Sequence, residues 1–208
     1  MLPGPTIIKK CSECSGSIEE HTIASGNTFG ATFWTDGKRD APMLPDQPWL
    51  VICPHCQALI WIDEQAELGE VEPFSDSEIY KSAKSYGVPE LQDYFSALKI
   101  SNLSKNKERY LRLRAWWSGN DKRRGSGIKQ NLSDDEKENL QALDKMLDTL
   151  DDNDRLMKAE IKRELSQFEE AEAILRESFD SEFSQVVSII SELVQRRESF
   201  VAEINYEN

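Results

Sequence analysis

Apolar and polar positions alternate in one way before residue 71 and in another way after it. In the first stretch the apolar residues come in short runs: Ile7-Ile8, Thr28-Phe-Gly-Ala-Thr-Phe-Trp-Thr35, Trp49-Leu-Val-Ile52 and Ala58-Leu-Ile-Trp-Ile62. Runs this short, rich in β-branched and aromatic residues and bounded by turn formers, predict strands. Asp36-Gly37 is a turn signal of the hairpin type. Pro42, Pro45 and Pro48 predict an irregular loop in place of a central strand.

Past Pro73 the apolar residues recur every three or four positions, the period of a helix. Ser75-Asp-Ser-Glu78 has the form of a capping box and Gly87 that of a stop, which predicts a helix near 76–86. Pro89 opens a second, roughly 89–99, with Leu91, Tyr94, Phe95 and Leu98 on one face. A third starts at Ser104 and runs through Tyr110, Leu111, Leu113, Trp116 and Trp117 to Gly119. Residues 119–131 predict an exposed loop. Ser133-Asp-Asp-Glu136 is a second capping box, and the helix after it carries Leu140, Leu143, Met146, Leu147 and Leu150. A helical hairpin is expected at about 152–178. The last helix is expected over about 183–204, with Val186, Val187, Ile189, Ile190, Leu193, Val194, Val201 and Ile204 as its apolar stripe. The expectation is an α+β chain of two parts, a small β module over 1–70 and an antiparallel helical domain over 71–208.

The four cysteines all fall in the first part, as Cys11-Ser-Glu-Cys14 and Cys53-Pro-His-Cys56. A Cys-x-x-Cys turn points two thiolates at one ion, and two such turns complete the tetrahedral cage that Zn²⁺ favours. Two disulfides are the competing reading. It suits secreted chains, and Met1–Lys10 lacks the basic-then-apolar layout of a signal peptide. A cytoplasmic location is therefore expected, with Cys11, Cys14, Cys53 and Cys56 as ligands of a structural Zn²⁺. Catalytic zinc keeps an open position, whereas four cysteines close the site. His55 sits inside the second pair, where a hydrogen bond or solvent exposure is expected. His21 is expected in a polar loop. Neither a deaminase pattern nor a thioredoxin-like βαβ context accompanies the cysteines.

These elements in order (strand, Cys-x-x-Cys, hairpin, strand, Cys-x-x-Cys, strand) resemble a zinc ribbon, and Pro54 after Cys53 is similar to the second knuckle of many such proteins. The 38 residues between Cys14 and Cys53 exceed the compact spacing, and an inserted hairpin with its proline loop accounts for them. The stretch Arg155–Leu175 resembles one tetratricopeptide repeat: Ala159 and Ala171 match small positions, Phe168 an aromatic one, and Ser166 stands where a turn glycine is usual. As a whole the layout resembles bacterial proteins with an N-terminal zinc ribbon and C-terminal helical repeats.

Charge narrows the choice of partner. The net charge of −13 disfavours nucleic acid for the surface as a whole. Its parts differ: residues 1–70 carry −6, residues 71–130 carry +5 and residues 131–208 carry −12. The basic middle holds Arg109, Arg112, Arg114, Trp117, Lys122, Arg123 and Arg124, residue types that pair with phosphates and stack on bases. Attraction to the acidic C-terminal part is the plainer account of it. No apolar run approaches the roughly 18 residues of a membrane span, and no phosphate loop, nucleophile elbow or histidine–carboxylate spacing points to an enzyme. The expectation is a non-catalytic zinc-binding adaptor whose helical part receives a protein partner, with a homodimer through the last helix as a further option. A nucleic-acid-associated protein using residues 105–124 is the alternative, and an enzyme of unspecified type is the second.

Overall fold

The computed structural model describes residues 1–73, 75, 81–124 and 129–205. Among these the strands are β1 (Leu2–Lys10), β2 (Ser17–Ser25), β3 (Thr32–Trp34), β4 (Arg39–Asp40), β5 (Leu50–Ile52), β6 (Leu59–Trp61), β7 (Ala66–Val71), β8 (Lys84–Ser85) and β9 (Glu203–Ile204). The α-helices are α1 (Leu91–Ala97), α2 (Lys105–Asp121), α3 (Asp134–Asp144), α4 (Asp152–Glu164), α5 (Phe168–Leu175) and α6 (Ser184–Gln195). The chain is α+β, and it divides into two compact units: residues 1–31 with 40–93, and residues 32–39 with 94–208.

The first unit is built on a four-stranded sheet in the order β7-β1-β2-β8. β1 and β2 run antiparallel from Lys10↔Ser17 outward, so the first cysteine pair is the tip of a long hairpin. β5 and β6 form a shorter antiparallel hairpin whose tip is the second pair. Cys11, Ile18, Val51, Cys53, Ile60 and Ile62 make the core, so the cysteines are themselves part of the apolar packing.

Several expectations change here. Residues 76–80 of the expected helix at 76–86 lie outside the described residues. Lys84 and Ser85 are strand, paired in parallel with Ile18 and Glu19. Gly87 is no helix stop; its N–H and C=O exchange bonds of 2.9 and 2.8 Å with Ile52. A Cβ there would sit 3.2 Å from the Ile52 Cβ, so a small residue lets the two backbones meet. His21 is not in a loop. It lies on β2, with Nδ1 3.1 Å from the Thr6 hydroxyl and Nε2 3.1 Å from that of Ser85.

The second unit is helical, with one small β element. The expected hairpin at Asp36-Gly37 forms: the Gly37 N–H reaches the Trp34 carbonyl at 2.9 Å, and Gly37 takes φ +78°. β3 then pairs antiparallel with β9, Phe33 opposite Ile204. Trp116, Leu140, Leu143, Leu147 and Ile161 join α2, α3 and α4 in one cluster. Ala159, Phe168, Ala171, Leu175, Ile190 and Val194 join α4, α5 and α6 in another. The helical hairpin is α4 and α5, in which Ala159 and Ala171 are fully buried.

Ser104 opens α2, its hydroxyl accepting from the Lys107 N–H, and Ser133 and Glu136 form the expected reciprocal box at the start of α3. The ends differ from expectation. α2 continues through Gly119 and Asn120, both buried, and residues 125–128 of the expected loop lie outside the described residues. α3 stops at Asp144, which leaves Leu150 91% exposed and off the apolar face. α6 ends at Gln195, nine residues early. Arg197 turns to φ +53°, and the Glu198 N–H bonds back to Leu193 at 2.9 Å, the closing pattern of a left-handed cap. Arg196-Arg197-Glu198-Ser199 offers no apolar residue to extend the stripe. Val201 and Ile204 are buried from extended chain instead.

Candidate metal centre

Each cysteine pair is held by the same backbone scheme. In the first, the Ser15 N–H donates to the Cys11 carbonyl at 2.9 Å and the Cys11 N–H to the Gly16 carbonyl at 3.0 Å. In the second, the Gln57 N–H donates to the Cys53 carbonyl at 3.0 Å and the Cys53 N–H to the Ala58 carbonyl at 2.9 Å. Ser15 (φ +62°) and Gln57 (φ +63°) take the left-handed conformation that folds each turn back on itself. The first cysteine of each pair is buried and the second exposed.

These matched turns bring four sulfurs together. All four Sγ atoms lie within 4.8 Å of one another. Cys11 and Cys56 are 3.9 Å apart, and Cys14 and Cys53 are 3.7 Å apart. A tetrahedron of Zn–S bonds about 2.3 Å long has edges of roughly 3.8 Å, which these two separations match. A disulfide would require about 2.05 Å. The donor set therefore fits one tetrahedral ion and leaves no corner for water. The Gly16 N–H pulls the Cys14 thiol down and the N–H of Ala58 pulls Cys56 down. Partial desolvation beside the other sulfurs and the crowded neighbouring thiols outweigh them, so both stand above the ordinary thiol value. Four thiols this close share negative charge only with a cation among them.

Two side chains brace the cage. His55 directs Nε2–H at the Ser17 carbonyl, 2.8 Å away, and so links the second turn to the start of β2. Its ring leaves no room at Gly16, where a Cβ would meet His55 Cδ2 at 2.4 Å. Gln65 accepts from the Ser12 N–H at 2.8 Å and donates to the Trp61 carbonyl at 2.9 Å, tying the first turn to the strand leaving the second. Among the described residues, the cluster that could hold an ion is the four cysteines and includes neither His21 nor His55.

The basic segment lies in the second unit, and its guanidiniums have partners there. Arg109 forms a fork with Asp154 at 2.7 and 2.5 Å, and the Arg109 bonds hold the Asp154 carboxyl below its ordinary range. Arg112 bonds Glu108 at 2.9 and 2.7 Å. Arg114 lies 5.7 Å from the ring centres of both Tyr110 and Trp117. Trp117 donates its indole N–H to the Asp36 carbonyl at 3.0 Å. Arg123 pairs with Glu136 at 2.9 and 3.1 Å. Burial works to raise Glu136, but Arg123 and the Ser133 donors hold it below the usual value. Arg124 grips the Asp36 carboxylate and packs 4.8 Å from the Trp34 ring centre. Lys122 follows α2 on the exposed side.

A buried polar cluster went unread in the sequence. Asp36, Asn120, Glu160, Arg163 and Glu164 are all 5% exposed or less. Asp36-Gly37 signals a turn, and Glu160, Arg163 and Glu164 have the spacing of an ordinary solvated helix face, so neither motif advertises burial.

No protein-family model, curated protein or solved structure matches this chain.

Proposed function

We propose that this protein is a non-catalytic zinc-binding adaptor. A structural Zn²⁺ on Cys11, Cys14, Cys53 and Cys56 staples a zinc-ribbon-like module, and the helical unit receives a protein partner. The observation that carries the reading is the closed cage of four thiols, with edges of 3.7 and 3.9 Å. Such a cage spends every corner of the ion on protein ligands, and its binding free energy goes into folding. The short strands β5 and β6 and a core that includes two cysteines suit a module in need of that energy.

Support for the partner half comes from a groove of about 470 Å³ in the helical unit. Phe33, Leu156, Phe183 and Val186 give it an apolar lining, with Lys38 and Glu182 among its polar residues. That composition suits an extended apolar peptide segment with polar flanks. Arg109, Arg112, Arg123 and Arg124 already hold carboxylates of the chain and Arg114 packs on Tyr110 and Trp117, so the adaptor reading is preferred over nucleic-acid binding.

The test is co-purification of the zinc-loaded protein from its native lysate, with and without nuclease, beside a Val186→Asp variant. Specific proteins that survive nuclease and are lost from the variant are the expected result. Recovery of nucleic acid, or equal recovery by the variant, contradicts it.

A further inference from the structure

Inside the second unit, three carboxyl groups and two guanidiniums are closed off from water together. Asp36, Glu160 and Arg163 are fully buried, Glu164 is 4% exposed, and the Arg124 side chain is 6% exposed. Guanidinium groups stay charged at every accessible pH. Two positive charges balance two carboxylates, and the third carboxyl is neutral only if it keeps a proton.

Hydrogen-bond geometry says which one keeps it. Asp36 receives the fork of Arg124. Glu160 receives that of Arg163 at 2.7 and 2.5 Å. Among the described residues Glu164 has only neutral donors: Asn120 Nδ2 at 3.0 Å to one oxygen, and Trp116 Nε1 at 3.0 Å to the other. Burial first, then the charges of Glu160 and Asp36, push its carboxyl up to about 8. A cavity of about 240 Å³ is bordered by Asn120, Glu164 and Phe200.

The same cluster fastens the Thr32–Arg39 hairpin. Asn120 Nδ2 donates both to Asp36 Oδ2 at 2.9 Å and to Glu164 Oε1 at 3.0 Å, so one amide bridges the turn and α4. Trp117 holds the Asp36 carbonyl, Lys38 pairs with Asp121 at 2.6 Å, and the Ala202 N–H donates to the Thr35 hydroxyl at 3.1 Å. Further charges facing the cluster are Asp121 on Arg124, the Arg123–Glu136 pair against Asn120 Oδ1, and the Glu198 region, whose backbone carbonyl takes an Arg163 N–H.

We propose that the buried Glu164 proton operates a latch: its loss in alkaline solution puts a second negative charge beside Asp36 and loosens the Thr32–Arg39 hairpin from α2 and α4. The sign follows from linkage. A carboxyl whose folded value lies above its unfolded one stabilises fully below the unfolded value, and that stability is lost as pH rises through the folded value. The latch is tightest below the ordinary carboxylate range, slackens steadily as pH rises toward about 8, and changes no further above it. It stands independently of the adaptor reading, although Phe33, Trp34 and Lys38 of this hairpin also line the groove.

The test uses the full zinc-loaded chain. Carbon-13 NMR follows the Glu164 carboxyl, and hydrogen exchange, corrected for intrinsic rates, follows the amides of residues 32–39 from pH 6 to 9. The expected result is a Glu164 midpoint near 8 with protection of the hairpin falling over the same range, and a flat protection profile in Glu164→Gln. A Glu164 midpoint in the ordinary carboxylate range overturns the proposal even if the variant fails to fold. So does a protection loss that persists unchanged in Glu164→Gln, or a hairpin whose protection does not change with pH.

Discussion

Arg163 is the largest of the side chains that are fully buried, and it shares that burial with Glu160. Its two terminal nitrogens also reach the backbone carbonyls of Glu198 and Phe200, the latter at 3.0 Å, so each guanidinium nitrogen has a partner. Removing one member of such a pair strands the other without water. Arg163→Met should destabilise the second unit by about 3–5 kcal/mol, whereas Arg163→Met with Glu160→Leu should recover most of that loss. Urea unfolding of both variants checks the contrast. Gln65 provides a test in the first unit. It touches both the Ser12 turn and Trp61 but no sulfur. Gln65→Ala should weaken zinc about 10-fold, as loss of an outer support does elsewhere, measured by competition with a chelator. Neither residue could be singled out from sequence. A glutamine between two apolar runs and an Arg/Glu spacing of three are commonplace on exposed surfaces, and burial comes from neighbours far along the chain.

Among the elements, those legible in the sequence were the ones whose signals are local. Ser133 and Glu136 announce α3 through a box that closes within three residues, and the paired cysteines announce both turns in the same way. Ends set by distant partners were not legible. β2 looked like a polar loop because Glu19, Glu20 and His21 break the alternation, yet pairing to β1 along its length makes it a strand. α6 was overextended because Val201 and Ile204 keep the helical period while lying on extended chain. The turn between α4 and α5 has its own test. Ser166 holds φ +61° where the Gln167 N–H closes back to Lys162 at 2.8 Å. Since that conformation strains any side chain, Ser166→Gly should raise stability by about 0.5–1 kcal/mol in thermal unfolding.

For the whole molecule, the uneven charge finds partners within the second unit. Arg109 with Asp154 and Arg123 with Glu136 pair the basic middle stretch with the acidic C-terminal one. Among the described residues no helix is long and apolar enough to cross a membrane. The chain's two units predict a divided response to loss of the ion. Cys53→Ser with Cys56→Ser should abolish stoichiometric zinc and the fold of the first unit, while far-UV circular dichroism retains most of its helical signal. Loss of both signals together would contradict the separation.

The proposed module depends on one ion held by all four thiolates. X-ray absorption at the zinc edge, on protein loaded to one equivalent, reads that coordination. Four sulfur neighbours at about 2.3 Å and no oxygen or nitrogen are expected. Fewer than four sulfurs, a light-atom ligand, or a chain that binds no stoichiometric zinc would contradict it.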